Sequence, residues 1–284
     1  MSVDAETGRG DRRSRILGDL RGARNVGIAV TSTVVFFAVI VVVIVTSAGW
    51  PEVRKAFFDR KIFSDSFPEI AHAFLLNIRI FCIAEALILV FALAIAVLRG
   101  LPGPVLFPFR LLAVLYTDLF RGIPTILVIY ILGFGAPALQ LSGVPNSPLF
   151  WGVTALVLVY SAYVAEVYRA GIDSVHPSQE AAARSLGLTR GQTLRYVIVP
   201  QAVRRVIPPL LNDFIGLQKD SALVALIGPI EAFRQSQIDV AATFNYTPYM
   251  ATALLFILVT IPLARFTDWL VARDRRRRVA GGTT

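Results

Sequence analysis

The sequence predicts an all-α integral membrane protein with six transmembrane helices. Three observations carry this reading. Of the 284 residues, 55% are hydrophobic and only 17% charged, and mean hydropathy is +0.65; an ordinary soluble domain carries about 25% charged residues. The apolar residues gather in long runs, near the ~20 residues that a helix needs to cross a bilayer. The basic residues, 25 Arg and 3 Lys, fall mostly at the chain ends and between those runs.

Composition also excludes several classes of chemistry. Cys82 is the single cysteine, so no internal disulfide can form. His72 and His176 are the only histidines, too few for a Cys/His zinc site, and the residues around them give no support to a Ser-His-Asp arrangement. Lys55, Lys61 and Lys219 do not follow a glycine, so there is no P-loop. No HExxH or GxSxG pattern is present. The net charge of +9 would suit nucleic acid, but its placement suits the cytoplasmic face of a membrane. No nucleic-acid partner, no metal site and no cofactor is expected in this chain, and it is not expected to be an enzyme.

Each element follows in order. Residues 1–25 are polar and Arg-rich and read as a mobile cytoplasmic tail. Residues 26–48, VGIAVTSTVVFFAVIVVVIVTSA, carry no charge and form an N-terminal span. A signal peptide would have a core of roughly 7–15 apolar residues and a small-residue cleavage site; this core is longer and should stay as an anchor. Residues 49–72 form an extracytoplasmic loop, its four basic and four acidic residues cancelling. The main transmembrane domain, 73–272, contains apolar runs at 73–98, 105–138, 150–168, 206–230 and 247–271. Residues 273–284 are a basic cytoplasmic tail. The tail 1–25 holds six basic residues, the stretch 169–205 six and residues 272–284 five. The opposite loops hold four, none and one. This places both termini in the cytoplasm by the positive-inside rule.

Charges inside spans are costly and point to function. Glu85 lies well inside the second run, and must face the bundle interior, face a cavity or be neutral. A transport role and a hydrogen-bonded neutral carboxyl are both open. Asp118 and Arg121 are three apart, so they can pair on one helix face. Gly122 and Pro124 follow, so this span should bend or restart near 121–125; an ion pair at the kink and direct substrate contact are the two readings. The run IPPLLNDFIGLQKDSALVALIGPI contains Asp213, and Lys219-Asp220 sits near its middle. Pro208, Pro209, Gly216, Gly228 and Pro229 should break it up. Asp220 and Ser221 would cap a second half-helix, and half-helix ends near the midplane are where transporters meet polar substrates. A Lys-Asp pair there offers a partner to each charge of an amino acid, or the two residues only satisfy each other. The cytoplasmic stretch after His176 holds two short helical patterns separated by Gly187-Leu188-Thr189, with Thr189 capping the second and Pro200 ending it. Such a helix suits docking to a soluble partner, or lies on the membrane surface among lipid headgroups.

From about residue 68 to 272 the sequence resembles the membrane-spanning permease subunit of an ATP-binding-cassette importer of the polar amino acid uptake group. The segments that carry the resemblance are YTDLFRGIP (116–124), YVAEVYRAGI (163–172), SQEAAARSLGLTRGQTLRYVIVPQA (178–202) and LNDFIGLQKDSALVALIG (211–228). The resemblance implies a five-helix type I importer core, with the N-terminal span as an addition. It makes 176–200 the coupling loop, whose helix seats in a groove on the ATPase. Gly187, Val197, Val199 and Pro200 match the family pattern; Ala181 stands where the family has glutamate, Glu180 lies one position earlier, Ala182 follows, and Ser178 stands where glycine is usual. Lys219 and Asp220 fall in the segment tied to the substrate path, with Asp213 and Glu85 as further candidates. Glu166 matches a family glutamate before the loop and, with Arg169, reads as structural or coupling.

These implications amount to a multi-pass cytoplasmic-membrane permease for a polar amino acid. Its expected partners are an ATPase subunit, an extracytoplasmic solute-binding protein and a second permease subunit, identical or different. Closure of the ATPase pair would move the coupling loop and rock the helices around 206–230. A proton-coupled secondary transporter using Glu85 or Asp220, and an anchor with no transport path, are the rivals.

Overall fold

The computed structural model describes residues 4–140 and 142–281, with side chains for 25–140 and 142–273. The described residues contain helices and no strand. The chain divides into two units, 1–57 and 58–284.

The first unit holds α1 (Asp4–Val45) and α2 (Trp50–Phe57). The α1 helix begins at Asp4, well inside the segment that the sequence marks as a mobile tail. Residues 25–45 are apolar enough to cross a membrane and are entirely unburied. Val and Ile dominate this stretch; their stiff side chains lower helix propensity in water, but in lipid the helix satisfies every backbone group internally.

The second unit begins with α3 (Arg60–Gly100), whose first turn is capped by Asp59: its Oδ1 accepts from the Lys61 and Ile62 amides at 2.9 and 3.1 Å. The helix α4 (Phe107–Gly122) stops at Ile123-Pro124, and α5 (Thr125–Tyr130) leaves at 103° to it. Pro124 has no amide to donate and excludes the helical conformation at Ile123, so the expected bend at 121–125 is a sharp corner. A π turn (Ile131–Gly135) and α6 (Ala136–Ala138) continue α5. The apolar α7 (Pro148–Asp173) is followed by the short α8 (Pro177–Ser185) and α9 (Arg190–Thr193). A second π turn (Leu194–Ile198) leads directly into α10 (Val199–Asp220). A 3-10 segment (Ser221–Ile227), α11 (Ala232–Thr243) and α12 (Thr247–Gly281) complete the chain. Among the described residues four helices are long and apolar enough to span, or five with the bent pair α4–α5 taken as one span; the run 206–230, expected as a further span, is not among them.

Three local expectations need correction. Pro200 does not end a helix: the π turn before it widens the backbone, and the helix runs on through the proline into α10. Pro208, Pro209 and Gly216 do not break α10 either. Asp220 caps no half-helix with its side chain; it keeps helical backbone angles and the chain merely tightens into the 3-10 segment.

The core is a seam between α3 and α7. Ala84, Ile88, Ala92 and Ala96 form a stripe down α3, and Ala155, Leu156, Val159, Ala162 and Ala165 lie buried on α7. Small residues let helix backbones approach, the main device for packing helices in lipid. The 3-10 segment is wedged beside this seam. A Cβ on Gly152 would lie 2.7 Å from Val224, and one on Gly133 would lie 2.6 Å from Ile227. A valine at Gly152 should therefore overpack the core and cost about 1–3 kcal/mol. Gly152→Val is expected to lower the detergent-solubilised protein's thermal midpoint, measured by intrinsic fluorescence, while Gly135→Ala, with open space around it, leaves it unchanged.

Candidate functional site

The interior of the second unit carries carboxylates on facing helices. Glu85 comes from α3, Asp213 and Asp220 from α10, and all three are partly buried. Glu85 and Asp213 lie close enough for their charges to interact, and both aspartates act on Tyr160 of α7. The Tyr160 hydroxyl donates to Asp220 Oδ2 at 2.9 Å. Asp213 Oδ2 is buried and has no hydrogen-bond partner among the described residues. The backbone geometry that allows this is local: Gly216, one turn before Asp220, has the Tyr160 hydroxyl 3.2 Å from where its Cβ would stand, so a larger residue would push the phenol off the carboxylate. Lys219 is adjacent in sequence, and its charge acts on Asp220. It is exposed and forms no ion pair with Asp220 among the described residues. Successive helical residues diverge by ~100°, which keeps the two side chains on different faces.

Above the carboxylates, a second polar network ties three elements together. Asn77 of α3 is 1% exposed, Ser221 1% and Glu231 0%. The Asn77 amide donates to Glu231 Oε2 at 2.7 Å and to Ser221 Oγ at 3.2 Å, and its Oδ1 accepts from the Ala232 amide at 3.1 Å. Glu231 also accepts from the Phe233 and Arg234 amides at 3.0 and 2.8 Å, capping α11. A buried carboxylate without a cation is tolerated because these donors and the positive end of α11 replace its hydration. Nearby, Asp239 of α11 accepts from Gln235, which also donates to Glu69. Burial, with the Glu69 charge adding to it, moves the Asp239 carboxyl above the ordinary range.

At the other end of the seam stands Glu166 of α7. It pairs with Arg99 of α3, whose guanidinium also donates to Thr117 Oγ1 of α4 at 3.0 Å. Arg121, in the last turn of α4, is 3.8 Å from the same carboxylate and lies over the Tyr163 ring. The Tyr163 hydroxyl donates to the Arg121 carbonyl at 3.4 Å, next to the corner made by Gly122 and Pro124. This corrects the expected Asp118–Arg121 pair: Asp118 is exposed and pairs with nothing among the described residues. The half-buried Glu166, with its lower screening, holds Arg121 instead. Arg169 pairs with Asp173 one turn along, 3.4 Å away and largely in solvent, where such pairs contribute little.

The loop after α7 presents α8 outward. His176 caps it, accepting from the Ser178 amide at 3.2 Å. Glu180, Ala181 and Ala182 are exposed on α8, and only Ala183 is buried. Gly187 turns the chain with φ of +84°, a conformation that glycine adopts without cost. Thr189 and Gln192 form a reciprocal capping box at the start of α9. Arg205 donates to the Ser174 carbonyl, fastening α10 to the end of α7.

Asn77, Tyr160 and Glu231 were not singled out in the sequence. The one signal was Glu231 after Gly228-Pro229, an acid at the start of a polar helix. Tyr160 sits in an apolar run and reads there as core.

A family model described as "Binding-protein-dependent transport system inner membrane component" matches residues 104–276. The chain is 35% identical over 187 residues to the probable glutamine ABC transporter permease protein GlnM of Bacillus subtilis (strain 168), covering 65% of this chain and 83% of that protein. It is 36% identical over 166 residues to the arginine transport system permease protein ArtQ of the same organism, covering 58% and 75%. A solved crystal structure of an amino acid ABC transporter with histidines superimposes with a TM-score of 0.70 and 31% identity, covering 76% of this chain and 98% of that one.

The two arginines on Glu166 differ in exposure, 13% for Arg99 and 44% for Arg121. Glu166→Ala strands Arg99 and should cost about 3–5 kcal/mol, whereas Arg121→Ala should cost about 0–1 kcal/mol. Thermal unfolding of both variants in detergent checks the order.

Proposed function

Because the chain belongs to the family of inner membrane components of binding-protein-dependent transport systems, we propose that it is the permease subunit of an ABC importer that carries a polar amino acid across the cytoplasmic membrane. The single observation behind the substrate class is the interior of the second unit, where Asp213 and Asp220 lie beside Tyr160, Glu85 lies near Asp213, and no salt bridge reaches any of the three carboxylates among the described residues, the Lys219 charge acting on Asp220 only from beyond contact. Unmatched carboxylates at membrane depth are costly and call for a positively charged visitor. Every amino acid brings one in its ammonium group. The names of the relatives, glutamine and arginine permeases, support the same class.

The exposed α8–α9 turn is the face on which a separate ATPase docks. The residues in contact are Glu180, Ala181, Ala182 and Gly187, with Pro200 stiffening the start of α10. ATP is bound and hydrolysed on that partner, and this chain supplies no cofactor. Movement of the turn passes into α10 through one continuous helical rod, and α10 carries Asp213, Lys219 and Asp220. Glu166, with Arg99, Arg121 and the corner at Gly122 and Pro124, gates the end nearest the turn, and Arg169 steadies it. A solute-binding protein delivers the amino acid on the opposite side, a second permease completes the path, and both termini lie in the cytoplasm.

Two outcomes test this. In liposomes containing the whole importer, Asp220→Asn should cut uptake of labelled glutamine or arginine by about tenfold, the size expected on losing one charge-assisted contact, with assembly intact. Unchanged uptake would remove Asp220 from the path. Gly187→Val forces an L residue into the left-handed region at a cost of about 1–2 kcal/mol and should reduce the ATPase recovered with the tagged permease from native membranes. Full recovery of the ATPase would move the docking face elsewhere.

A further inference from the structure

We propose that Asn77 and Glu231 are positioning residues for translocation, a clamp that fixes the 3-10 segment so that Asp220 faces Tyr160. The inference rests on the reading of Asp220 as part of the substrate path.

The argument starts from reach. One side chain, Asn77, holds both ends of the segment from Ser221 to Ala232: its amide meets Ser221 Oγ at one end and Glu231 Oε2 at the other, and its carbonyl takes the Ala232 amide. Ser221 also donates to the Gln218 carbonyl at 2.8 Å, so the clamp is continuous with the last turn of α10. Asp220 directly precedes Ser221, inside the turn that the Ser221–Gln218 bond closes. Its carboxylate has one side-chain partner, Tyr160, from a different helix. The segment between the anchors has apolar side chains, and Gly228 at φ of +114° closes it. Van der Waals contact alone holds such a segment loosely in register along a helix; three buried hydrogen bonds from a rigid helix do not permit sliding. Asn77 lies on α3 two turns from Glu85, so the clamp also sets the distance between Asp220 and the carboxylate on α3.

Glu231 could instead serve only as the cap of α11. The two roles separate chemically. Aspartate is among the best capping residues but is one methylene too short to cap α11 and reach Asn77 as well. The experiment uses the full chain with its ATPase and binding protein in liposomes, with labelled L-glutamine and L-arginine as probes, and reads substrate moved per ATP hydrolysed. Glu231→Asp and Asn77→Ala are expected to lower that ratio about tenfold, as for loss of a hydrogen bond to a charged group, while ATP hydrolysis by the assembled complex stays near wild type. A wild-type ratio in Glu231→Asp overturns the proposal, since capping alone would then explain the residue. A parallel fall of uptake and hydrolysis overturns it too, because it marks general damage. If Glu231→Asp does not assemble, Ser221→Ala decides: a lowered ratio supports the clamp and a wild-type ratio overturns it. Asp220→Asn run alongside separates the two levels. Full transport in that variant sinks the substrate-path reading itself, whereas its loss combined with a normal Glu231→Asp sinks only the clamp.

Discussion

The close approach of α3 and α7 is the constraint on which the rest of the second unit depends. Alanines 84, 92 and 96 on α3 and 155, 162 and 165 on α7 are all buried, and the two helices come near enough for side chains on one to serve the other. The three polar groupings described above each draw on this pair. Asn77, Glu85 and Arg99 stand on α3; Tyr160 and Glu166 stand on α7. With the seam opened by even a methyl group or two, Arg99 would draw away from Glu166. Packing in lipid rests on shape more than on hydrophobic drive, so the small residues of the seam are what make the ionic and hydrogen-bonded geometry repeatable.

Much of this architecture was legible in the sequence, and the legible part was local. Apolar runs marked five candidate spans, though not the sixth expected at 206–230, Gly122 and Pro124 marked the corner, and Thr189 marked the start of α9. Each of these signals acts within a turn or two of chain. The contacts that escaped reading are long-range: Glu166 with Arg99, Tyr160 with Asp220, Asn77 with Glu231, separated by 67, 60 and 154 positions. A tyrosine or asparagine inside an apolar run carries no mark of which distant group it will meet. Asp118 and Arg121 show the reverse failure. Their spacing permits a pair, but a better partially buried partner for Arg121 stands on another helix, and geometry at long range overrides proximity in sequence.

Prolines 200, 208 and 209 illustrate how tertiary context changes the meaning of a residue. In water each would end or kink a helix at a cost of about 3 kcal/mol. Here a π turn precedes the first and the helix runs on through the others. Carbonyls freed by a proline can be met by neighbouring groups inside a membrane bundle, so helix-breaking residues become adjustments of pitch and stiffness.

The corner between α4 and α5 has a mechanical consequence. Two rods joined near a right angle work as a bell crank, turning a push along one arm into a sweep of the other. An arm of 16 residues is about 24 Å long, so a tilt of about 10° carries its tip some ~4 Å. That is the width of a side chain, obtained without unfolding a single turn.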